Sequence, residues 1–336
     1  MRNKYNWLSG IILGAIFLFA WLKIVNWQEF IAYFKSLDLK FVLIFSLFYV
    51  LAYFLRSLRW RIILAPIYKM GVWESFTLFM SGLLINYLIP VRAGEFAKSI
   101  ILKKKRDVRI SASLPSIFID KITDLFPILL IMILIPLVAV KLNLTLTIII
   151  ILLFLIFLVF IGFLFFAVNH RDKAIRILHF FLRFFPKRFR PGFEDFFLNF
   201  VDGMAIMQGR RFDYVKIYFL TLLAVFSEAI YILAVFKAFG AEISYPQILF
   251  GYTLMNLTYI LPTPPAQIGS NQLMWVLIFS FALGVDKNLT SAAVTFSHLL
   301  TSLWIFGLGA ISLLALNISL KEIVPRKKLE DDYGKK

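Results

Sequence analysis

Residues 86–105 read Asn-Tyr-Leu-Ile-Pro-Val-Arg-Ala-Gly-Glu-Phe-Ala-Lys-Ser-Ile-Ile-Leu-Lys-Lys-Lys. An apolar run of helix length, 72–89, leads into this stretch and stops at Pro90, which has no N–H and pushes Ile89 out of the helical region. Gly94 and Glu95 restart a helix that ends in Lys103, Lys104, Lys105 and Arg106. Asn86, Arg92 and Glu95 therefore flank a break in an otherwise apolar neighbourhood. Backbone that leaves the helix at membrane depth has to be buried in protein or line a wet cavity. Helix, Pro/Gly break, helix is the pattern of a re-entrant hairpin, whose second half aims the positive end of its dipole into the break.

Composition makes membrane depth the right setting. The 336 residues are 61% hydrophobic and include 38 Phe, with a mean hydropathy of +0.84. A soluble fold could not cover so much apolar surface, and the apolar runs are long enough to cross a bilayer. The net charge of +17 sits between those runs and not on a separate domain, which fits cytoplasmic loops and excludes a nucleic-acid-binding module. The absence of Cys removes disulfides, thiol nucleophiles and thiolate metal sites. Arg2 and Lys4 precede an apolar run with no small-x-small cleavage site, so the N-terminus reads as an uncleaved first helix.

Apolar runs fall at about 7–22, 41–58, 72–89, 112–140, 144–168, 214–239, 246–261, 270–284 and 289–316. If 72–89 crossed the membrane, the basic residues from Arg92 to Arg109 would lie outside, against the positive-inside bias. If 72–102 dips in and returns, they stay cytoplasmic, together with Arg56, Arg59, Arg61, Lys69 and the basic loop 169–213. Only Lys23, Lys35, Lys40, Lys141, Lys237 and Lys287 then fall outside, with Lys121 in a span. The expected architecture is all-α: a polytopic integral membrane protein of the cell membrane, with six full spans, two re-entrant hairpins and both termini cytoplasmic. Residues 1–320 form one membrane domain, and 321–336 a charged, disordered tail.

This topology contains an inverted repeat, about 41–140 against 214–316, in which the hairpins enter from opposite sides. Asn86…Pro90…Gly94-Glu95 corresponds to Asn256…Pro262…Gly269…Gln272, and Asp120-Lys121 to Ser297-His298. Inverted repeats with broken helices place a transporter's site between them, near the midplane. In the 169–213 loop, His179 to Arg188 mixes aromatics and bases like a helix lying on an anionic leaflet, and 192–207 reads as a second surface helix.

Ionisable residues inside spans are costly unless paired or wet, so each is a candidate. Asp120 and Asp124 share a helix face, Lys121 can pair with Asp124, and Pro127 bends the helix beside them. Glu95 stands in the first turn of its half-helix, where an acid meets free N–H groups. Arg92 can grip a phosphate or pair with an acid. Glu228 has no charged sequence neighbour and needs a tertiary partner or a proton. His298 is a lone span histidine, and with His170 and His179 in the loop no metal-ligand spacing arises. No nucleophile elbow, P-loop or dinucleotide fingerprint is present, so no metal, cofactor or enzymatic activity is expected.

Arg59-Trp60, Asn86…Pro90-x-Arg92-x-Gly94-Glu95, Asp120-Lys121-x-x-Asp124 and Pro262-Thr263-Pro264…Gly269 together resemble the flippase-like membrane family (UPF0104) known from the N-terminal membrane domain of lysylphosphatidylglycerol synthases. The resemblance covers roughly 40–316. It implies movement of phospholipids, aminoacylated lipids, or polyprenyl- or glycolipids between leaflets. Two positions depart from the family pattern: Gln272 stands where Glu is common and His298 where Arg is common, so a neutral hydrogen bond can replace an ion pair. The expected function is a lipid translocase that receives an anionic headgroup at the two half-helix N-termini and Arg92. Proton coupling would fall to Asp120, Asp124 or Glu228. An integral-membrane enzyme on lipid-linked sugars or lipid phosphates, with Glu95 and Asp120 as acid and base, is the alternative, and a scaffold for a cytoplasmic enzyme the third. Expected partners are membrane lipids, a cytoplasmic lipid-modifying enzyme and a second copy of the chain.

Overall fold

With no water at depth, backbone groups must bond within their own segment, and an apolar chain answers by coiling. All regular structure among the described residues of the computed structural model is helical; these are residues 2–89, 93–125, 127–135, 144–184, 190, 193–194, 197–198, 201, 211–258 and 264–319. Helix α1 (Arg2–Ile24) turns by 89° into the short α2 (Trp27–Tyr33), where the Asn26 side chain caps the new helix. Helices α3 (Leu39–Phe45) and α4 (Leu47–Leu64) run on across Ser46 as one 26-residue apolar rod. Next come α5 (Val72–Leu88), α6 (Ala93–Arg106), α7 (Ile110–Thr123) and α8 (Pro127–Leu134). Helix α9 (Leu144–Asn169) carries no charged residue, and α10 (Arg171–Leu182) is amphipathic. The chain continues through α11 (Arg211–Ala238), α12 (Tyr245–Thr258), α13 (Ser270–Trp275, widening into π-helical turns through Ala282) and α14 (Lys287–Ala315).

Three rods have the length and apolarity of a span: Leu39–Leu64, Phe212–Ala238 and Lys287–Ala315. At 26 residues, or about 39 Å, α9 is long enough as well. The first helix and its bend make a further broken one. The run 112–140, expected as one span bent at Pro127, is instead divided: α7 ends at Thr123 and α8 restarts on Pro127. Residues 136–143, the tail from 320, and most of the expected second surface helix lie outside the described residues.

Side-chain contacts define two ends of the molecule. At one end Asn26 N–H donates to Asn288 Oδ1 at 2.8 Å, Tyr33 bonds Asp286, and Phe34 meets Phe239 edge-on. At the other, Arg61 Nε donates to the Met70 carbonyl at 2.7 Å, Arg106 Nε to Glu74 at 2.5 Å, and Lys105 to the Asn317 carbonyl at 3.1 Å. Helix α5 leaves this second end, and α6 brings the chain back to it. Helix α12 and the α13 segment do the same at the first end, where Ser280 bonds Thr290. The break between α5 and α6 therefore separates the two arms of a helical hairpin and is not a kink in a through-going rod.

Small residues let the hairpins close. A Cβ on Gly94 would come within 2.0 Å of the Gly82 carbonyl and 2.5 Å of the Asn86 nitrogen, so α5 and α6 touch backbone to backbone. In the second hairpin a Cβ on Gly251 would strike the Phe279 ring at 2.6 Å. Gly269 takes φ +81°, and a side chain there would collide with Leu18 of α1 at 2.5 Å. Helix α1 is thus built into the second hairpin: Gly14 faces Pro264, and Trp21 Nε1 donates to Ser291 at 3.1 Å. One contiguous apolar core runs from Trp21 to Ile318, and a satellite cluster seats Ala174, Leu178 and Leu182 of α10 against Ala167, Phe197 and Val201.

Candidate functional site

The turn of α5 before the break carries Asn86 and Tyr87, which project into two separate polar clusters. Asn86 Oδ1 accepts from the Gly94 N–H at 2.7 Å, and its Nδ2 donates to Glu95 Oε1 at 2.9 Å. The side chain thus spans the break and satisfies an N–H that the new helix leaves open. Glu95 binds two lysines, Lys98 at 2.8 Å through Oε2 and Lys121 at 2.8 Å through Oε1. Lys98, 2% exposed, also lies 3.7 Å from Asp120 Oδ2 and over the rings of Trp60 and Phe79, at 4.8 and 4.6 Å.

Arg59 closes the cluster from α4. Its Nε donates to Asp120 Oδ1 at 2.9 Å and its Nη2 to Asp124 Oδ1 at 2.8 Å, while Nη1 reaches Thr221 at 3.3 Å. Arg59 and Asp120 are both fully buried. Lys121 completes the ring at 3.4 Å from Asp124. One turn before Arg59, Arg56 meets Glu228 at 2.6 Å, and Tyr252 OH donates to the same carboxylate at 2.6 Å. Four carboxylates and four cations are therefore matched, which is the condition for keeping charges in a low-dielectric interior.

The second cluster is neutral. Gly269 N–H donates to Gln272 Oε1 at 2.9 Å, which turns the Gln272 amide nitrogen toward His298 Nδ1 at 3.0 Å. Nδ1 must then accept, so the proton sits on Nε2 and points at the Ala266 carbonyl, 2.8 Å away, and at the Tyr87 oxygen, 2.7 Å away. Tyr87 passes its own proton to Ser302, and Ser302 bonds back to the His298 carbonyl at 2.5 Å. Tyr87 thereby ties the tip of the first hairpin to the break of the second.

Most of the residues marked in the sequence assemble here. Asn86, Gly94, Glu95, Asp120, Lys121, Asp124 and Glu228 belong to the ionic cluster, and Gly269, Gln272 and His298 to the neutral one. Pro264 packs on Gly14 beside it. Among the described residues Asn256 makes no contact across its break like that of Asn86; its Nδ2 bonds the Tyr252 carbonyl of its own helix at 3.1 Å. Pro90, Arg92 and Pro262 lie outside the described residues. The sequence reading missed Arg56, Arg59 and Lys98 as site residues because it assigned them to cytoplasmic water, whereas the fold buries Arg59 and Lys98 and partly buries Arg56. Arg56 and Arg59, three apart at the end of an apolar run, and Lys98, three after Glu95, were the available signals. Tyr87 and Tyr252 gave none.

Long apolar rods, two helical hairpins and a charge-matched interior define a helical membrane protein. A family model described as the lysylphosphatidylglycerol synthase TM region matches residues 6–309, and the chain belongs to that family. The match takes in α1, which the motif resemblance left out. Two relatives are proteins called UPF0104 membrane protein from Methanothermobacter thermautotrophicus. One is 27% identical over 76% of this chain and 77% of its own length, the other 23% identical over 95% and 98%. No solved structure matches.

Proposed function

We propose that the protein is a lipid translocase of the cell membrane. In this reading the two hairpins are re-entrant and gate a polar path for an anionic phospholipid, aminoacylated lipid or glycolipid headgroup, while the acyl chains stay in the bilayer. The observation that carries it is the contact of the first hairpin's tip with α14, Tyr87 to His298 at 2.7 Å, where His298 also meets Gln272 of the second hairpin at 3.0 Å; the two hairpins start at opposite ends of the molecule. His298 lies about 16 Å along α14 from Lys287, well inside a rod of about 43 Å.

A pairing on either side of that junction supports the inverted repeat. Glu95 binds Lys121 and Gln272 binds His298; each partner lies 26 residues further on, in the helix that follows its hairpin. The same offset sets Asp120 against Ser297, which faces Arg59 in one half and Tyr231 in the other. One half is ionic and the other neutral, so rearranging the hairpins need not separate charges on both sides at once. Domain 1–320, cytoplasmic termini, a cytoplasmic lipid-modifying partner and a homodimer belong to this proposal.

The test is reconstitution in liposomes with a fluorescent lipid whose outer-leaflet copies are quenched. Transfer between leaflets that falls at least tenfold in Glu95→Gln and Tyr87→Phe, with the protein still monodisperse, supports a translocase. Chemical alteration of the lipid without transfer would make it an enzyme instead.

A further inference from the structure

Beside Gln272 the second hairpin carries two polar atoms that the protein leaves unanswered. Asn271 Oδ1 and Trp275 Nε1 are both shut off from solvent, and among the described residues neither has a hydrogen-bond partner. Trp275 is 5% exposed, and its ring stacks on Phe236 at 5.7 Å with the planes 7° apart. Phe279 packs against it at 5.2 Å. A buried donor or acceptor without a partner forfeits the hydrogen bond it made with water, so two of them on adjacent turns of one helix face mark a place for a guest.

The guest's chemistry follows from what is offered. The indole presents one N–H and no acceptor, whereas the amide oxygen only accepts. A hydroxyl meets both, taking the indole proton on its oxygen and giving its own proton to Asn271. A charged group would fit badly, because the salt bridges among the described residues involve none of Asn271, Gln272, Trp275 and His298. The ring of His298 is held neutral by its own bonds. An ion here would be buried without a counter-charge.

We propose that Asn271 and Trp275 form a subsite for a neutral hydroxyl of a lipid headgroup, as on a sugar or glycerol unit. The lipid rests on the translocase reading; the hydroxyl site does not. It assigns the two hairpins different work: the charged cluster stabilises the first, and the second reads the headgroup.

Binding and transfer measured side by side separate the two ideas. The full chain in phosphatidylcholine nanodiscs is offered glucosyl-diacylglycerol, phosphatidic acid, whose charged headgroup has no alcohol hydroxyl, or free glucose, and the retained molecule is read by native mass spectrometry. The glucosyl lipid should be retained about three- to tenfold better than phosphatidic acid, the range one or two net hydrogen bonds supply. Trp275→Phe keeps a ring on Phe236 but loses the N–H, and Asn271→Ala loses the oxygen; each should cut that retention to a third or less. Equal retention of phosphatidic acid, or full retention of the glucosyl lipid in both variants, overturns the subsite and leaves it to water. Free glucose retained as well as the lipid overturns the lipid assignment. Leaflet transfer is followed in liposomes of the same proteins. Binding that responds to both variants without any transfer defeats the translocase and spares the subsite. Transfer that is unchanged in both variants does the reverse.

Discussion

Asp120 and Arg59 show how little latitude a buried charge has. Both are fully buried, and Arg59 serves Asp120 and Asp124 together. Removing one partner strands the other, at a cost of about 3–5 kcal/mol, while replacing both with apolar groups of similar size avoids most of it. Asp120→Ala should therefore lower the thermal midpoint in detergent sharply, and Arg59→Met combined with Asp120→Leu should recover more than half of that loss. At the neutral cluster, Gln272→Glu alone sets a carboxylate against a ring whose Nδ1 is an acceptor, and among the described residues no cation is bonded to Gln272 or His298. Adding His298→Lys supplies the cation and recreates the arrangement of Glu95 with Lys121. Unfolding of the two single variants and the double should give a favourable coupling of about 1–3 kcal/mol. The pairing Gln272–His298 was legible in the sequence as a substitution of types; that Tyr87 joins it was not, since a tyrosine in an apolar run carries no distinguishing pattern.

At the scale of elements, the first hairpin closes only because two glycines face each other. A methyl on Gly94 would lie 2.0 Å from the Gly82 carbonyl, with rigid backbone on both sides. Gly94→Ala should destabilise the protein by about 1–3 kcal/mol. It should also move Asn86 off the Gly94 N–H, seen as faster amide exchange at residues 93–98. Gly162, in the middle of α9, has nothing within 4 Å of an added Cβ, so Gly162→Ala should leave the thermal midpoint unchanged or slightly raised. Pro90, Gly94 and the basic end of α6 were enough to read this hairpin from the sequence. The second was legible as a break at Pro262 to Gly269, but its seat against Leu18 and Gly14 of α1 was not, because that contact joins residues 250 positions apart. Helix α10 takes in only 179–182 of the stretch read as a surface helix and ends at Leu182, 185–189 lying outside the described residues; along it Ala174, Leu178 and Leu182 turn inward, while Phe180 and Phe181 stay exposed and Arg183 lies 3.6 Å above the Phe180 ring.

For the whole molecule, the contacts separate an end containing Asn26, Tyr33, Phe239 and Asn288 from one containing Met70, Glu74, Arg106 and Asn317. Native cysteine is absent, so single cysteines report sidedness on a clean background. Lys104→Cys and Arg176→Cys, both exposed, should be protected from a membrane-impermeant maleimide in intact cells and react after permeabilisation. Lys237→Cys and Lys287→Cys, exposed toward the other end, should react at once. Labelling of Lys104→Cys from outside would mean that the first hairpin enters from the other face, and the positive-inside argument would be wrong for this chain.

Composition, run length and the positions of proline and glycine by themselves determined a helical membrane protein with two broken segments, since those features act through local backbone geometry and transfer from water. Which basic residues face water and which are buried was a tertiary decision. Arg56, Arg59 and Lys98 look like loop anchors until α7, α11 and the first hairpin bring Glu228, Asp120, Asp124 and Glu95 against them. A charge is stable inside only where an opposite charge is delivered from elsewhere in the fold, and sequence distance does not record that delivery. The unanswered N–H of Trp275 belongs to the same category: the residue is ordinary in sequence, and only packing shuts it away from a partner among the described residues.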